Sequence, residues 1–280
     1  MEFIEILKSI VLGIVQGITE WLPVSSTGHM ILVNQFMDFM SQNKDFRDLF
    51  LVVIQFGSIL AVVTIYFHKL NPFSPKKTDT EKKDTLSLWA KVLVGCVPAG
   101  IIGLLFDDFI DTYLYQAYVV AATLIIYGIA FIVIESRKKE TKINDLSTLD
   151  YKTAALIGVF QILALIPGTS RSGSTILGAV ILGTSRFVAT EFSFFLAVPI
   201  MLGASGLKIL KYFVEFGMFG AQEFFLLLIG MAVAYIVSVI AIKFLIGYIK
   251  KNDFKAFGYY RIVLGVLVIA YFAITGAAVV

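Results

Sequence analysis

Gln16 and Glu20 stand four residues apart, so on a helix an amide and a carboxylate share one face. Behind them, after Pro23, come Ser25-Ser26-Thr27-Gly28-His29. A carboxylate so placed can hold a divalent cation through oxygen or act as a base. Ser26 is the natural nucleophile of the set, or the hydroxyl that orients one. His29, at the start of the next helix, can transfer protons. A lone histidine near an interface is more often structural, but the neighbouring carboxylate and hydroxyls favour function here. A second run, Pro167-Gly168-Thr169-Ser170-Arg171-Ser172-Gly173-Ser174-Thr175, sets a guanidinium among hydroxyls. Its planar fork suits a phosphate bidentately. Ser, Thr and Gly after a proline also begin helices, whose free N–H groups and positive dipole end attract phosphate. Two such ends converging make an anion cradle, with Ser25, Thr27, Ser170, Ser172 and Thr175 as hydroxyl donors. The plainer alternative is a structural ion pair between Arg171 and Glu20 or Glu191.

The elements that must position these groups are membrane helices. The 280 residues are 58% hydrophobic and 15% charged, against about a quarter charged in an ordinary soluble domain, and mean hydropathy is +0.87. That excludes a water-soluble fold. A net charge of +3, with its cations in short loops, excludes a nucleic-acid binder. The single cysteine, Cys96, excludes a disulfide scaffold or a Cys-based metal site. No P-loop, Rossmann fingerprint or zinc motif is present. The acidic start, Met1-Glu2-Phe3-Ile4-Glu5, is unlike a signal peptide, so the first apolar segment is expected in the mature structure.

Crossing ~30 Å of hydrocarbon takes about 20 helical residues. Six charge-poor runs qualify: Leu49–His68, Leu88–Phe106, Thr112–Ile134, Phe187–Leu207, Phe224–Ile242 and Ile262–Val280. Pro98 suggests a kink in the second, and runs this long exclude a β-barrel. Residues 9–37 and 153–185 are apolar but broken by the two motif runs, and read as re-entrant helix–loop–helix hairpins. The expected fold is an all-α polytopic membrane protein in one domain, 1–280, with six transmembrane helices plus the two hairpins.

Lysine and arginine set the orientation. Lys69, Lys76, Lys77, Lys82, Lys83 and Lys91 follow the first span. Arg137, Lys138, Lys139, Lys142 and Lys152 follow the third, and Lys250, Lys251 and Lys255 the fifth. With six spans these loops share one face, the cytoplasmic one. Asp107, Asp108 and Asp111 fall outside, as do both termini. The first hairpin then enters from outside and the second from inside. Leu22-Pro23-Val24-Ser25-Ser26-Thr27-Gly28 is also similar to Ile166-Pro167-Gly168-Thr169-Ser170-Arg171-Ser172, with Gln16 and Gln161 upstream. This predicts an inverted-topology repeat, about 1–110 and 150–255, with a binding site near the midplane. Gln55 and Glu191 are expected to tie the hairpins to the bundle, and Trp21, His68 and Trp89 to be interfacial.

The two motif runs resemble the two signatures of the undecaprenyl-pyrophosphate phosphatase, or bacitracin-resistance, family. Similarity continues through Val53-Ile54-Gln55-Phe56-Gly57-Ser58-Ile59-Leu60-Ala61 and Glu191-Phe192-Ser193-Phe194-Phe195-Leu196-Ala197. The resemblance implies an inner-membrane enzyme with an outward-facing site. Its reaction removes the terminal phosphate of undecaprenyl pyrophosphate, and the product is recycled as the lipid carrier of peptidoglycan synthesis. Bacitracin sequesters the pyrophosphate lipid, so it acts on the substrate rather than on the protein. A divalent cation, Mg²⁺ or Ca²⁺, is implied. Glu20 and Gln16 correspond to the acidic motif, Ser26 and His29 to the catalytic loop, and Ser170, Arg171 and Thr175 to the phosphate-binding motif. Gln16 stands where the family accepts Glu or Gln, so Glu20 must carry the charge. Ser26, His29 and water all stay open as nucleophile, and a homodimer is one oligomeric state left open. A transporter or flippase of the same lipid is the main rival, because inverted repeats with midplane anion sites also build transporters. A structural partner in wall assembly leaves Arg171 and Glu20 unexplained.

Overall fold

In lipid each backbone N–H and C=O must find its partner within the chain, and apolar runs of this length do so as helices. The computed structural model describes residues 3–40, 43–137 and 140–275, without the side chains of Asn34, Asp107, Asp108 and Asp111. Met1, Glu2, Lys138, Lys139 and residues 276–280 therefore lie outside the described residues, as do the three aspartate side chains of the acidic loop. The helices are α1 (Phe3–Thr19), α2 (Ser26–Met37), α3 (Lys44–Val53), α4 (Gln55–Ile65), the short α5 (Phe67–Leu70), α6 (Asp79–Phe109), α7 (Ala117–Ser136), α8 (Tyr151–Ile162), α9 (Arg171–Ile181), α10 (Arg186–Phe216), α11 (Ala221–Ile249) and α12 (Lys255–Thr275).

Among the described residues six segments are long and apolar enough to cross a membrane: Lys44–Ile65, Asp79–Phe106, Ala117–Ser136, Arg186–Phe216, Ala221–Ile249 and Lys255–Thr275. Each overlaps one expected span, and the chain is a multi-pass helical membrane protein. Several helices outrun their apolar stretch, because polar residues in a helix end solvate as readily as those in a loop. The second begins at Asp79 rather than Leu88, and the fourth runs past Leu207 to Phe216. The second also passes through Pro98 as helix and departs from helical angles at Phe106 (φ −120°, ψ 16°).

The basic segments meet at one end. Lys91 Nζ donates to Ser147 O at 3.4 Å, Arg186 at the start of α10 pairs with Glu135 at the end of α7 at 2.6 Å, and Ile143 bridges Thr184. Both ends of the α8–α9 hairpin are held there. The α1–α2 hairpin closes at the opposite end, where Lys8 of α1 donates to Asp38 O beyond α2 at 3.0 Å. Asn43, which caps α3, donates to Glu223 at the start of α11 at that same end, at 2.7 Å.

Packing exchanges partners between the halves: α1 lies on α11, α8 on α6 and α7 on α12. Small residues let these backbones approach. A Cβ on Gly13 would sit 2.8 Å from Gly230 O, and one on Gly158 would fall on Gly95 O. Gly158→Ala is therefore expected to destabilise the fold by about 1–3 kcal/mol. Gly203→Ala, which meets open space, serves as control. Melting temperatures in detergent check this, with a fall in the first and none in the second. α10 runs through the centre, buried without interruption from Val188 to Val198.

Candidate active site

The two turns are built alike. Ser25 (φ 75°) and Ser170 (φ 74°) both sit in the left-handed region, at a cost of order 1–3 kcal/mol each for a non-glycine residue. Each follows a buried glutamine by nine positions. Each caps the next helix: Ser25 Oγ accepts from Gly28 N at 3.2 Å, and Ser170 Oγ from Gly173 N at 3.1 Å. The N-termini of α2 and α9 thus begin at Ser26 and Arg171, at the tips of two hairpins that come from opposite ends.

The tips touch through Glu20. Its Oε1 accepts from Arg171 Nη2 at 3.0 Å. Its Oε2 accepts from Gln16 Nε2 at 3.0 Å and from Ser26 Oγ at 2.9 Å. Both side chains of the ion pair are largely buried, 11% exposed for Arg171 and 7% for Glu20. Ser172 Oγ lies within reach of Glu20 O at 3.2 Å and Leu22 O at 3.3 Å, so α9 also grips the first turn by its backbone. Arg171 Nη1 donates to Ser193 O at 2.8 Å, which fastens the guanidinium to α10. Its planar group also stands 5.5 Å from the Trp21 ring centre.

Gln16, Glu20, Ser26, Arg171 and Ser172 therefore form one cluster. Ser25 and Ser170 are the caps that shape it, and Thr27 lies half-buried in the first turn of α2. Thr175 faces α10 instead, with its Oγ1 2.6 Å from Ser193 Oγ. His29 is turned towards α12. Its Nδ1 lies 2.7 Å from Ser25 O, a carbonyl that can only accept, so Nδ1 carries hydrogen. Its Nε2 lies 2.6 Å from Tyr260 Oη. Burial chiefly holds the imidazole below its ordinary pKa; the Ser25 hydrogen bond opposes this and the Arg261 charge adds to it. The ring is then neutral near pH 7, with the Nε2 lone pair as its basic site.

Two expectations change. Trp21 is fully buried and edge-on to Phe194, with centroids 5.1 Å apart: it follows Glu20 at a hairpin tip, not at a membrane interface. Glu191 accepts from Lys69 Nζ at 2.6 Å, so it ties the end of α5 to α10 rather than holding a hairpin. Ser193, Tyr260 and Arg261 were not singled out by the motifs. Ser193 stands between two phenylalanines inside an apolar run, and Arg261 immediately precedes one, where a cation reads as interfacial.

Among the described residues no group of three His, Cys, Asp or Glu side chains forms a ready metal cage. Glu20, Gln16 Oε1 and Ser26 Oγ do supply hard oxygens of the kind Mg²⁺ and Ca²⁺ accept. Mg²⁺ in particular commonly takes one or two carboxylates and completes its shell with water and substrate phosphate. The donor set fits a cation shared with a phosphorylated ligand.

The family model described as bacitracin resistance protein BacA matches residues 9–267. The chain is 58% identical over 273 residues to a protein of Enterococcus faecalis named undecaprenyl-diphosphatase, covering 97% of this chain and 99% of that one. It is 60% identical over 269 residues to undecaprenyl-diphosphatase 1 of Clostridioides difficile, covering 96% and 97%. A protein of Latilactobacillus sakei named undecaprenyl-diphosphatase is 57% identical over 268 residues, covering 95% and 97%. With its motif residues gathered at two touching hairpin tips and such similarity along nearly its whole length, the chain belongs to the BacA family of bacitracin resistance proteins.

Proposed function

We propose that this chain hydrolyses undecaprenyl pyrophosphate to undecaprenyl phosphate and inorganic phosphate, which returns the lipid carrier to cell-wall synthesis. Consuming the pyrophosphate form also removes the target of bacitracin. The observation that carries this reading is the Arg171–Glu20–Ser26 cluster between two helix N-termini. It sets a cation and free N–H groups where a diphosphate would lie, beside a hydroxyl already bonded to a carboxylate.

The diphosphate competes with Glu20 for Arg171. When it binds, the guanidinium and the N-termini of α2 and α9 hold its oxygens and stabilise the charge that builds on the phosphoryl group. Either Glu20 Oε2 takes the Ser26 proton as Ser26 Oγ attacks the terminal phosphorus, giving a phosphoserine that water then hydrolyses to inorganic phosphate and free Ser26, or Glu20 takes the proton of a water that Ser26 orients for direct attack. The bond to the bridging oxygen breaks and the lipid monophosphate leaves. His29 Nε2, which accepts from Tyr260 Oη, takes up a proton released on water attack only through that hydroxyl. A divalent cation held by Glu20, Gln16 and Ser26 together with substrate oxygens would supply further charge neutralisation.

We further propose an inverted repeat whose re-entrant hairpins meet near mid-membrane, with the site and both termini on the outer face. Hairpins that close at opposite ends, the matched geometry of Ser25 and Ser170, and basic residues gathered at one end support it. The same architecture suits a lipid flippase, which needs the tips open to both faces in turn.

The test is phosphate release from undecaprenyl pyrophosphate by detergent-purified protein, across pH and with a chelator. One phosphate per lipid is expected, with loss of activity on chelation. As pH falls, kcat/KM declines only below the ordinary imidazole value of about 6.5, where His29 takes up a proton. Retained lipid binding without release would refute hydrolysis and favour transport, which liposome flux then measures.

A further inference from the structure

Arg261, on α12, is fully buried. Its Nη1 donates to Pro23 O at 3.2 Å, and its Nη2 to Gly168 O and Thr169 O, both at 2.9 Å. One guanidinium thus holds carbonyls from both broken turns, two residues before Ser25 and directly before Ser170. Among the described residues its partners are these carbonyls and the Tyr127 ring, whose centre lies 5.5 Å away; none is a carboxylate. Its Nε is buried without a hydrogen bond. Arg171 shares an unpartnered buried Nε, but Arg171, Arg186 and Arg47 are each paired with a carboxylate, which Arg261 is not.

A buried cation without a counter-ion is costly and persists in membrane segments chiefly where function retains it. Its geometry shows what it does to the tips. In a trans peptide the N–H points opposite to the preceding C=O. With Thr169 O drawn towards Arg261, the Ser170 N–H is turned to the side away from α12. The first turn of α9 also rests on the guanidinium, since a Cβ on Gly173 would sit 3.1 Å from Arg261 Nη1.

We propose that Arg261 is a positioning residue for the diphosphate site. It clamps the two turns into one register so that the N-termini of α2 and α9 converge, and it keeps an unneutralised positive charge beneath them for an anionic ligand. The proposal rests on the hydrolase reading. It leaves binding and chemistry at phosphorus to Arg171, Glu20 and Ser26, and gives Arg261 the alignment of the cradle.

The experiment measures kcat and KM for phosphate release from undecaprenyl pyrophosphate by wild type, Arg261→Lys, Arg261→Ala and Gly173→Ala, each normalised to protein that runs as a single species in gel filtration. Misplacing a site by about 1 Å costs about 10²-fold, so Arg261→Lys is expected to lose about that much kcat/KM, with KM raised. Arg261→Ala should lose more and regain part of it when millimolar guanidinium ion is added, which does nothing for wild type. Gly173→Ala keeps every hydrogen-bonding group but sets its Cβ 3.1 Å from Arg261 Nη1 and 3.2 Å from Ser170 Cβ; it carries the test if neither Arg261 variant folds, and should lose at least about tenfold in kcat/KM by shifting the clamp and the turn it holds. Wild-type kcat and KM in folded Arg261 variants, with only the melting temperature lowered, would overturn the proposal, as would an unimpaired Gly173→Ala. Absence of release by wild type would instead refute the hydrolase reading.

Discussion

Arg171→Ala is expected to abolish most phosphate release, by about 10³-fold or more in kcat/KM, while leaving a folded membrane protein. The magnitude is that of losing a donor or arginine that stabilises transition-state charge. The fold is a closer question, because Glu20 loses the cation that Arg171 now presents at 3.0 Å, and breaking a buried ion pair costs about 3–5 kcal/mol when the remaining charge stays uncompensated. Glu20 has two other donors, Gln16 and Ser26, which go on hydrogen-bonding its carboxylate. Stability should therefore fall by less than that figure. Arg171→Lys keeps charge but not the fork that reaches both Glu20 and Ser193, and should stay at least about tenfold impaired. Phosphate release and melting temperature on the same preparations check both statements. Arg171→Ala turning over at the wild-type rate would remove Arg171 from the reaction.

Glu20→Gln divides binding from chemistry. The substitution keeps size and shape, so Gln16, Ser26 and Arg171 retain a neighbour, but the negative charge and the basic oxygen are gone. If Glu20 takes the proton from Ser26 or its water, kcat should drop by about 10²–10⁴-fold, the range of a lost general base. The same carboxylate competes with the diphosphate for Arg171, so KM should stay level or fall. A substrate-binding carboxylate would give the reverse, a raised KM with kcat little changed. Steady-state kinetics across lipid concentration separate the two outcomes.

Much of this was legible in the chain because lipid leaves few options. Charge-poor runs of about 20 residues must be helices, and each of the six expected spans overlaps one helix long and apolar enough to cross a membrane. Helix ends were less legible, since Asp79–Lys83 is polar and Lys208–Phe216 carries Lys208, Lys211 and Glu215, yet both are helical, and hydropathy cannot distinguish a charged helix end from a loop. The hairpin tips were visible because proline and clustered hydroxyls interrupt apolar sequence, and their contact brings Glu20, Ser26 and Arg171 together. What stayed hidden came from other helices. Ser193 looks like one polar residue among phenylalanines until α10 is seen to pass beside Arg171. Arg261 sits at the edge of an apolar run, where position alone suggests an interfacial cation, and only the packing of α12 on α7 carries it into the interior. The direction of the His29 ring, towards Tyr260 rather than Ser26, depends on that same packing.

Glu20 and Arg171, contributed by different hairpins, are expected to act as one catalytic unit on a diphosphate lipid. The most direct measurement is a double-mutant cycle: kcat/KM for phosphate release from undecaprenyl pyrophosphate by wild type, Glu20→Gln, Arg171→Lys and the double variant, all confirmed folded. Groups that act together give strongly non-additive losses, so the double variant should be little worse than the worse single one. Losses that multiply would mean the two residues act independently, and the 3.0 Å pair between the hairpin tips would then be structural.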